Sequence, residues 1–254
     1  MKKLLAMTAL SAALFFGQTV AAEEKAAEEV KPSHVEMVLV LDESGSMSNL
    51  TNDTIGGFNS MIEKEKKLDV DAHVTTVLFN DQYKMLYNRR ELKDVRKMTD
   101  KDYTPGGMTA LLDAVGRTIH KMDMVSGIHR KDKGNKVLFV IITDGEENDS
   151  REYTYADVKK LIKDRQENAG WEFIFLGANI DAVAAAENLG IDRDRAVKYK
   201  NTGSGVRANF KAVAELSDSL AKSGRVSDEW KETVEKDEDD AADKQSAAVT
   251  LHRR

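Results

Sequence analysis

The stretch Met37-Val38-Leu39-Val40-Leu41-Asp42-Glu43-Ser44-Gly45-Ser46 decides the fold. Five apolar residues run without alternation and end abruptly in a carboxylate and two hydroxyls. An apolar run this short, with no polar face, suits a central strand covered on both sides. Val137 to Ile142 repeats the pattern and ends in Thr143-Asp144-Gly145; Trp171 to Leu176 repeats it again, broken only by Glu172. Between these runs lie residues at helical spacing: Ile55, Phe58 and Ile62; Leu111, Val115 and Ile119; Tyr155, Val158, Leu161 and Ile162. A last helix is marked by Val206, Phe210, Val213 and Leu220, with Thr202 or Ser204 as its cap. Strands alternating with helices predict an α/β fold, a Rossmann-like doubly wound and mostly parallel sheet. Val74 to Phe79 and Tyr83 to Tyr87 flank the short turn Asn80-Asp81-Gln82, which predicts a hairpin and so one antiparallel edge strand. Ala196 to Lys200 is expected to be a final short strand.

The two strand ends carry the chemistry. In open α/β sheets, ligands bind outside the carboxyl ends of the strands, where strand order switches. If the strands ending at Asp42 and Asp144 are neighbours, both carboxylates face one crevice. Thr104-Pro105-Gly106-Gly107-Met108-Thr109 lies between them in sequence and delivers Thr109 to the start of a helix. Carboxylate, hydroxyl and water oxygens are hard ligands that favour magnesium, manganese and calcium over zinc or copper. Taken singly, each residue has a plainer reading: Thr109 as a helix cap, Asp144-Gly145 as a turn. The clustering of oxygens at two strand ends and a glycine loop is what those readings leave unexplained.

Asp42-x-Ser44-x-Ser46, then Thr109 within Gly-Gly-Met-Thr-Ala-Leu-Leu-Asp-Ala, then Thr-Asp144-Gly resembles the metal-ion-dependent adhesion site of von Willebrand factor A (VWA) domains, over roughly residues 35 to 220. The resemblance implies a sheet of six strands with one antiparallel edge. It implies Mg2+, or alternatively Mn2+ or Ca2+, held by Asp42, Ser44, Ser46, Thr109 and Asp144, with the serines bound directly and the other three directly or through water. It implies a protein partner whose acidic side chain completes the metal's coordination. Glu43 falls at a variable position and is expected to face solvent. Asp113, one helical turn after Thr109, is either a group behind the metal or a surface acid.

Other readings bound the function. The chain has 254 residues, a formal charge of −6 and no cysteine. Net acidity disfavours nucleic acid as a partner. Absent thiols exclude disulfides, thiolate metal sites and a lipid-anchored cysteine. Gly106-Gly107 and Gly203-Ser204-Gly205 each precede a helix, but neither matches a phosphate-binding fingerprint, so no nucleotide is expected. Catalysis lacks its usual signs. The five histidines are scattered: His73 in a strand, His120 in a helix, and His34, His129 and His252 in expected loops. A metal-assisted hydrolase would need a base, for which Glu146 or Glu147 is the candidate. A scaffold with a structural metal is the other alternative. The basic cluster Arg89 to Lys97 is interrupted by Glu91 and Asp94 and is expected to be a solvated face.

Lys2 and Lys3, an apolar run from Leu4 to Phe16 and the small residues Val20-Ala21-Ala22 have the layout of a secretory signal peptide. The expected organisation is a leader over 1–22, a linker over 23–34, the VWA domain over 35–223 and an acidic, mostly disordered tail over 224–254, in which Trp230 and Val234 could dock a short helix. After cleavage no stable membrane span is expected, and the protein is read as periplasmic or secreted.

Overall fold

The structure, a computed structural model, describes residues 34–124 and 135–236. Six strands form one sheet: β1 (His34–Asp42), β2 (Ala72–Phe79), β3 (Tyr83–Glu91), β4 (Asn135–Thr143), β5 (Glu172–Gly177) and β6 (Ala196–Lys198). Their order is β3-β2-β1-β4-β5-β6, with β3 antiparallel to β2 and the other neighbours parallel. The expected doubly wound sheet with an antiparallel edge is therefore present. Strand order switches direction between β1 and β4, which opens the crevice between their carboxyl ends.

The sheet is covered by α1 (Thr51–Lys67), α2 (Leu111–Asp123), α3 (Tyr155–Asp164), α4 (Ala182–Leu189) and α5 (Gly203–Ser223). The uninterrupted apolar runs are explained by burial on two faces. Met37, Leu39 and Leu41 point into the layer that holds Phe58 of α1 and Phe210 of α5. Val38 and Val40 point the opposite way, into the layer of Val115 from α2, Val158 from α3 and Ala186 from α4. Strand side chains alternate between faces, so each apolar pair serves both layers.

Local signals set the helix ends. Thr154 and Asp157 form a reciprocal capping box at α3, and Thr202 accepts from the Gly205 N–H at α5. Helix α4 has no counterpart in the periodicity reading. Its punctuation was nonetheless in the sequence: Asp181 caps its start, and Gly190 closes it at φ 85°.

One histidine is placed differently from expectation. β1 begins at His34, so that residue belongs to a strand rather than to a linker loop. Within the stretch expected to be a tail, residues 230–236 are helical, and Trp230 and Val234 are buried in the α1/α5 layer, the docking that this apolar pair allowed. Gly224, at φ 68°, ends α5 and lets the chain turn back, and two apolar residues four apart share one helical face. The expected leader and the acidic run from Asp237 lie outside the described residues, as do His129 and His252. The basic cluster is mostly exposed and laced with ion pairs, Lys93 with Glu91 and Arg96 with Asp102, but Arg89 is drawn inward to Glu36.

Candidate functional site

Because β1 and β4 are parallel neighbours with Leu41 opposite Ile142, Asp42 comes to lie beside Thr143, and Asp144 follows directly. The Thr143 hydroxyl donates to Asp42 Oδ2 at 2.6 Å, and the Ser44 N–H donates to Asp42 Oδ1 at 2.7 Å. Beyond Ser44 the chain enters a 3-10 turn over Gly45–Leu50 that leads into α1. The turn brings Ser44 Oγ within 3.0 Å of Ser46 Oγ, and Ser46 donates to Asp144 Oδ1 at 2.5 Å. Thr109 arrives from the third loop. Measured from where a Cβ on Gly145 would sit, its Oγ1 is 3.6 Å away and Ser46 Oγ is 3.9 Å away. The five residues singled out in sequence are thus gathered at one end of β1 and β4.

Backbone contacts hold the glycine loop against the first. Gly45 N–H donates to the Gly107 carbonyl at 3.2 Å, and Gly106 N–H donates to the Glu43 carbonyl at 2.9 Å. Gly107 has φ 76°, and a Cβ there would lie 1.9 Å from Asp81 Oδ1, so the position needs glycine. The hairpin turn braces the other side, with Asn80 Nδ2 donating to the Gly106 carbonyl at 2.8 Å. Thr109 is pinned by Asn148, whose Oδ1 accepts its N–H at 2.8 Å and whose own N–H donates to its carbonyl at 3.0 Å.

Glu43 does not face solvent as expected. It is 4% exposed, and its Oε1 accepts the Thr104 hydroxyl at 3.3 Å and lies 3.5 Å from Lys84 Nζ. Burying Glu43 requires a polar niche, which the Thr104 loop supplies. Asp113 is also buried: its carboxylate accepts the N–H groups of Arg151, Glu152 and Tyr153 at 2.9–3.0 Å. Burial alone would raise its pKa, yet these three donors bring it below the usual value. It anchors the loop after β4 and touches none of the five site residues in the described contacts. Glu147 does related work, accepting from Leu112, Asp149 and Ser150 N–H groups. Asn80, Asn148 and Asn201 also support the site, and nothing in their spacing marks them, because their partners are backbone or distant in sequence.

The electrostatics are one-sided. Asp42 is 1% exposed and Asp144 2%. Their partners are neutral hydroxyls and amides, including Asn201 Nδ2, 3.3 Å from Asp144 Oδ2. Among the described residues no lysine or arginine pairs with either carboxylate; Lys84 of β3 goes to Glu43. Burial raises the pKa of Asp42, and the charge of Asp144 adds to the rise. Beneath the pair, Tyr103 donates to the Asp42 carbonyl at 2.6 Å, while the fully buried Tyr199 hydroxyl has no hydrogen-bond partner among the described residues. Burial pushes Tyr199 upward, and Asp144 and Asp42 push it further, so it stays a neutral phenol. Two buried carboxylates and three hydroxyls with no protein cation form an all-oxygen donor set whose charge a hard dication would balance.

Comparison with known proteins follows the same line. The vWA-TerF-like family, described as the vWA found in the TerF C terminus, matches residues 34–199. No curated protein matches the chain in sequence. Among solved structures, the vWF domain of the type V pili tip protein Mfa5 from Porphyromonas gingivalis aligns with a TM-score of 0.53 at 12% identity, covering 78% of this chain and 99% of that one. The pilus adhesin SpaC from Lactobacillus rhamnosus GG aligns with a TM-score of 0.55 at 14% identity, covering 76% of this chain and 31% of that one. The PilB minor pilin from Streptococcus sanguinis aligns with a TM-score of 0.53 at 12% identity; the match covers 72% of this chain and 61% of the pilin. At these identities the likeness is one of fold.

Proposed function

Because the chain belongs to the vWA-TerF-like family of von Willebrand factor A domains, we propose that it is a divalent-metal-dependent binding module that captures a protein ligand at the β1/β4 crevice. Asp42, Ser44, Ser46, Thr109 and Asp144 hold the ion, with Mg2+ the best fit and Mn2+ or Ca2+ also compatible with an all-oxygen set. The carrying observation is the pair of buried carboxylates within reach of hydroxyls from three loops and without a protein countercharge. When bound, the ion supplies positive charge and an exchangeable coordination position, which an acidic side chain of the partner can take.

The site is read as non-catalytic. The buried Glu43 and the half-buried Glu147 are already committed as hydrogen-bond acceptors, and Glu146 is exposed. None is poised as a general base beside the five residues, which supports binding over metal-assisted hydrolysis. The likeness in fold to a pilus-tip protein and a pilus adhesin favours a surface interaction of the same kind. With the leader expected over residues 1–22, the protein is placed outside the cytoplasm, in the periplasm or beyond. Among the described residues no helix is long and apolar enough to cross a membrane. The domain is taken to span 35 to about 236, with the acidic tail beyond it.

Calorimetry with Mg2+ tests the reading. The parent protein should give a saturable heat that vanishes in Asp42→Ala, and Ser44→Ala and chelator should each abolish capture of an acidic partner. Equal heats from parent and Asp42→Ala would remove the site.

A further inference from the structure

The opposite end of the sheet carries a second cluster, built from residues that the β1/β4 crevice does not use. Glu36 of β1 is the register partner of His73 on β2, and His34 lies two residues before Glu36, on the same face of the strand. His34 Nε2 is 3.3 Å from Glu36 Oε1, His73 Nδ1 is 3.2 Å from the same oxygen, and the two imidazole nitrogens are 2.9 Å apart. The outer nitrogen of His34, Nδ1, lies 3.0 Å from Asp71 Oδ1. If that nitrogen carries the proton, Asp71 accepts it and Nε2 turns its lone pair inward.

Three lone-pair-bearing atoms this close repel one another unless something positive lies between them. Arg89 meets part of the need. Its Nε donates to Glu36 Oε2 at 3.0 Å, its Nη2 donates to Glu36 Oε1, and Nη2 lies 3.2 Å from His73 Nδ1. Arg89 reaches this place from a bulged stretch of β3, with a left-handed φ of 46°. No described contact joins it to His34 Nε2, so the His34–His73 contact still requires a shared proton or a metal ion.

We propose that His34 Nε2, Glu36 Oε1 and His73 Nδ1 form a second cation site, for Zn2+ or a similar borderline transition metal. Two imidazoles and one carboxylate make a donor set that favours such ions over Mg2+, and three protein ligands leave a fourth position for water. Asp71 orients the His34 ring from behind. Arg89 is the rival cation: its side chain is about one-third exposed and can swing outward when the metal enters. The site lies six residues up β1 from Asp42, about 20 Å at ~3.3 Å per residue, so it acts independently of the crevice. A bound ion would tie the starts of β1 and β2 together.

Zn2+ titration of the full chain by calorimetry tests this, at about pH 7.5 and in excess Mg2+ so that the all-oxygen site is saturated. The expected result is a Zn2+ heat that persists in Asp42→Ala and is weakened about tenfold or more in both His34→Gln and His73→Gln. Arg89→Gln should bind at least as tightly as the parent, since it removes the competitor. Circular dichroism confirms that each variant is folded; should one histidine variant not fold, the other and Arg89→Gln still decide. No Zn2+ heat in the parent, equal binding by the histidine variants, or loss of binding in Arg89→Gln would overturn the proposal.

Discussion

Replacing Glu65 by glutamine should stabilise the protein above neutral pH and do little in mild acid. Glu65 lies on α1 at its contact with α5, is 0% exposed, and receives one hydrogen bond, from the Ser217 hydroxyl to Oε2 at 2.7 Å. Its other oxygen has no partner among the described residues. A carboxylate here is taken out of water with a single neutral donor as compensation, and burial pushes its pKa from 4.5 up to about 7. The folded state therefore holds a proton that the unfolded chain releases near pH 4.5. Between these two values the folded state binds more protons, so stability falls as pH rises. At about 1.4 kcal/mol for each tenfold change in proton affinity, the full loss is about 3 kcal/mol and is complete by about pH 8. Glutamine keeps the size and does not ionise, so Glu65→Gln avoids that loss. Urea unfolding of parent and variant should give curves about 1 kcal/mol apart at pH 5 and about 3 kcal/mol apart at pH 8, the variant being the more stable. A constant gap across that range would mean that Glu65 is ionised throughout and that burial does not control it.

Other consequences are more local. Gly107→Ala forces a side chain into a left-handed position against Asp81, and should cost about 1–2 kcal/mol while weakening Mg2+ binding, because the Gly107 carbonyl holds the Gly45 N–H beside Ser44 and Ser46; unchanged stability and Mg2+ heat would show that the loop tolerates the strain. Asp113→Ala removes the acceptor for three backbone N–H groups and should cost about 1–3 kcal/mol, with faster amide exchange confined to Arg151, Glu152 and Tyr153; unaltered exchange there would sever Asp113 from the loop.

The β1 and β4 runs were legible because a strand buried on both faces cannot hide its composition: Met37 to Leu41 and Val137 to Ile142 serve two cores at once. The five candidate oxygen-bearing residues were legible for a related reason, since Asp42, Ser44, Ser46 and Asp144 end or follow strands, and Thr109 precedes a helix, whose type the periodicity reveals. Helix α4 escaped because it is eight residues long and rich in alanine, so its apolar pattern is faint. Trp230 and Val234 were visible as a pair, but their docking depends on a turn at Gly224 that carries no periodicity.

Sequence alone indicated the strands, every helix of the sheet's cover except α4, the antiparallel edge and the candidate oxygen cluster, because these follow from local hydrophobic period and from residues adjacent in the chain. Tertiary structure alone decided that Glu43 and Asp113 are interior acceptors, that Glu65 is a buried acid, and that His34, Glu36, His73 and Arg89 meet across three strands. The physical reason is range. A hydrophobic period is written within a dozen residues, whereas the environment of a polar side chain is made by partners as far as 152 positions away, as Ser217 is from Glu65, and only the packed sheet says who they are.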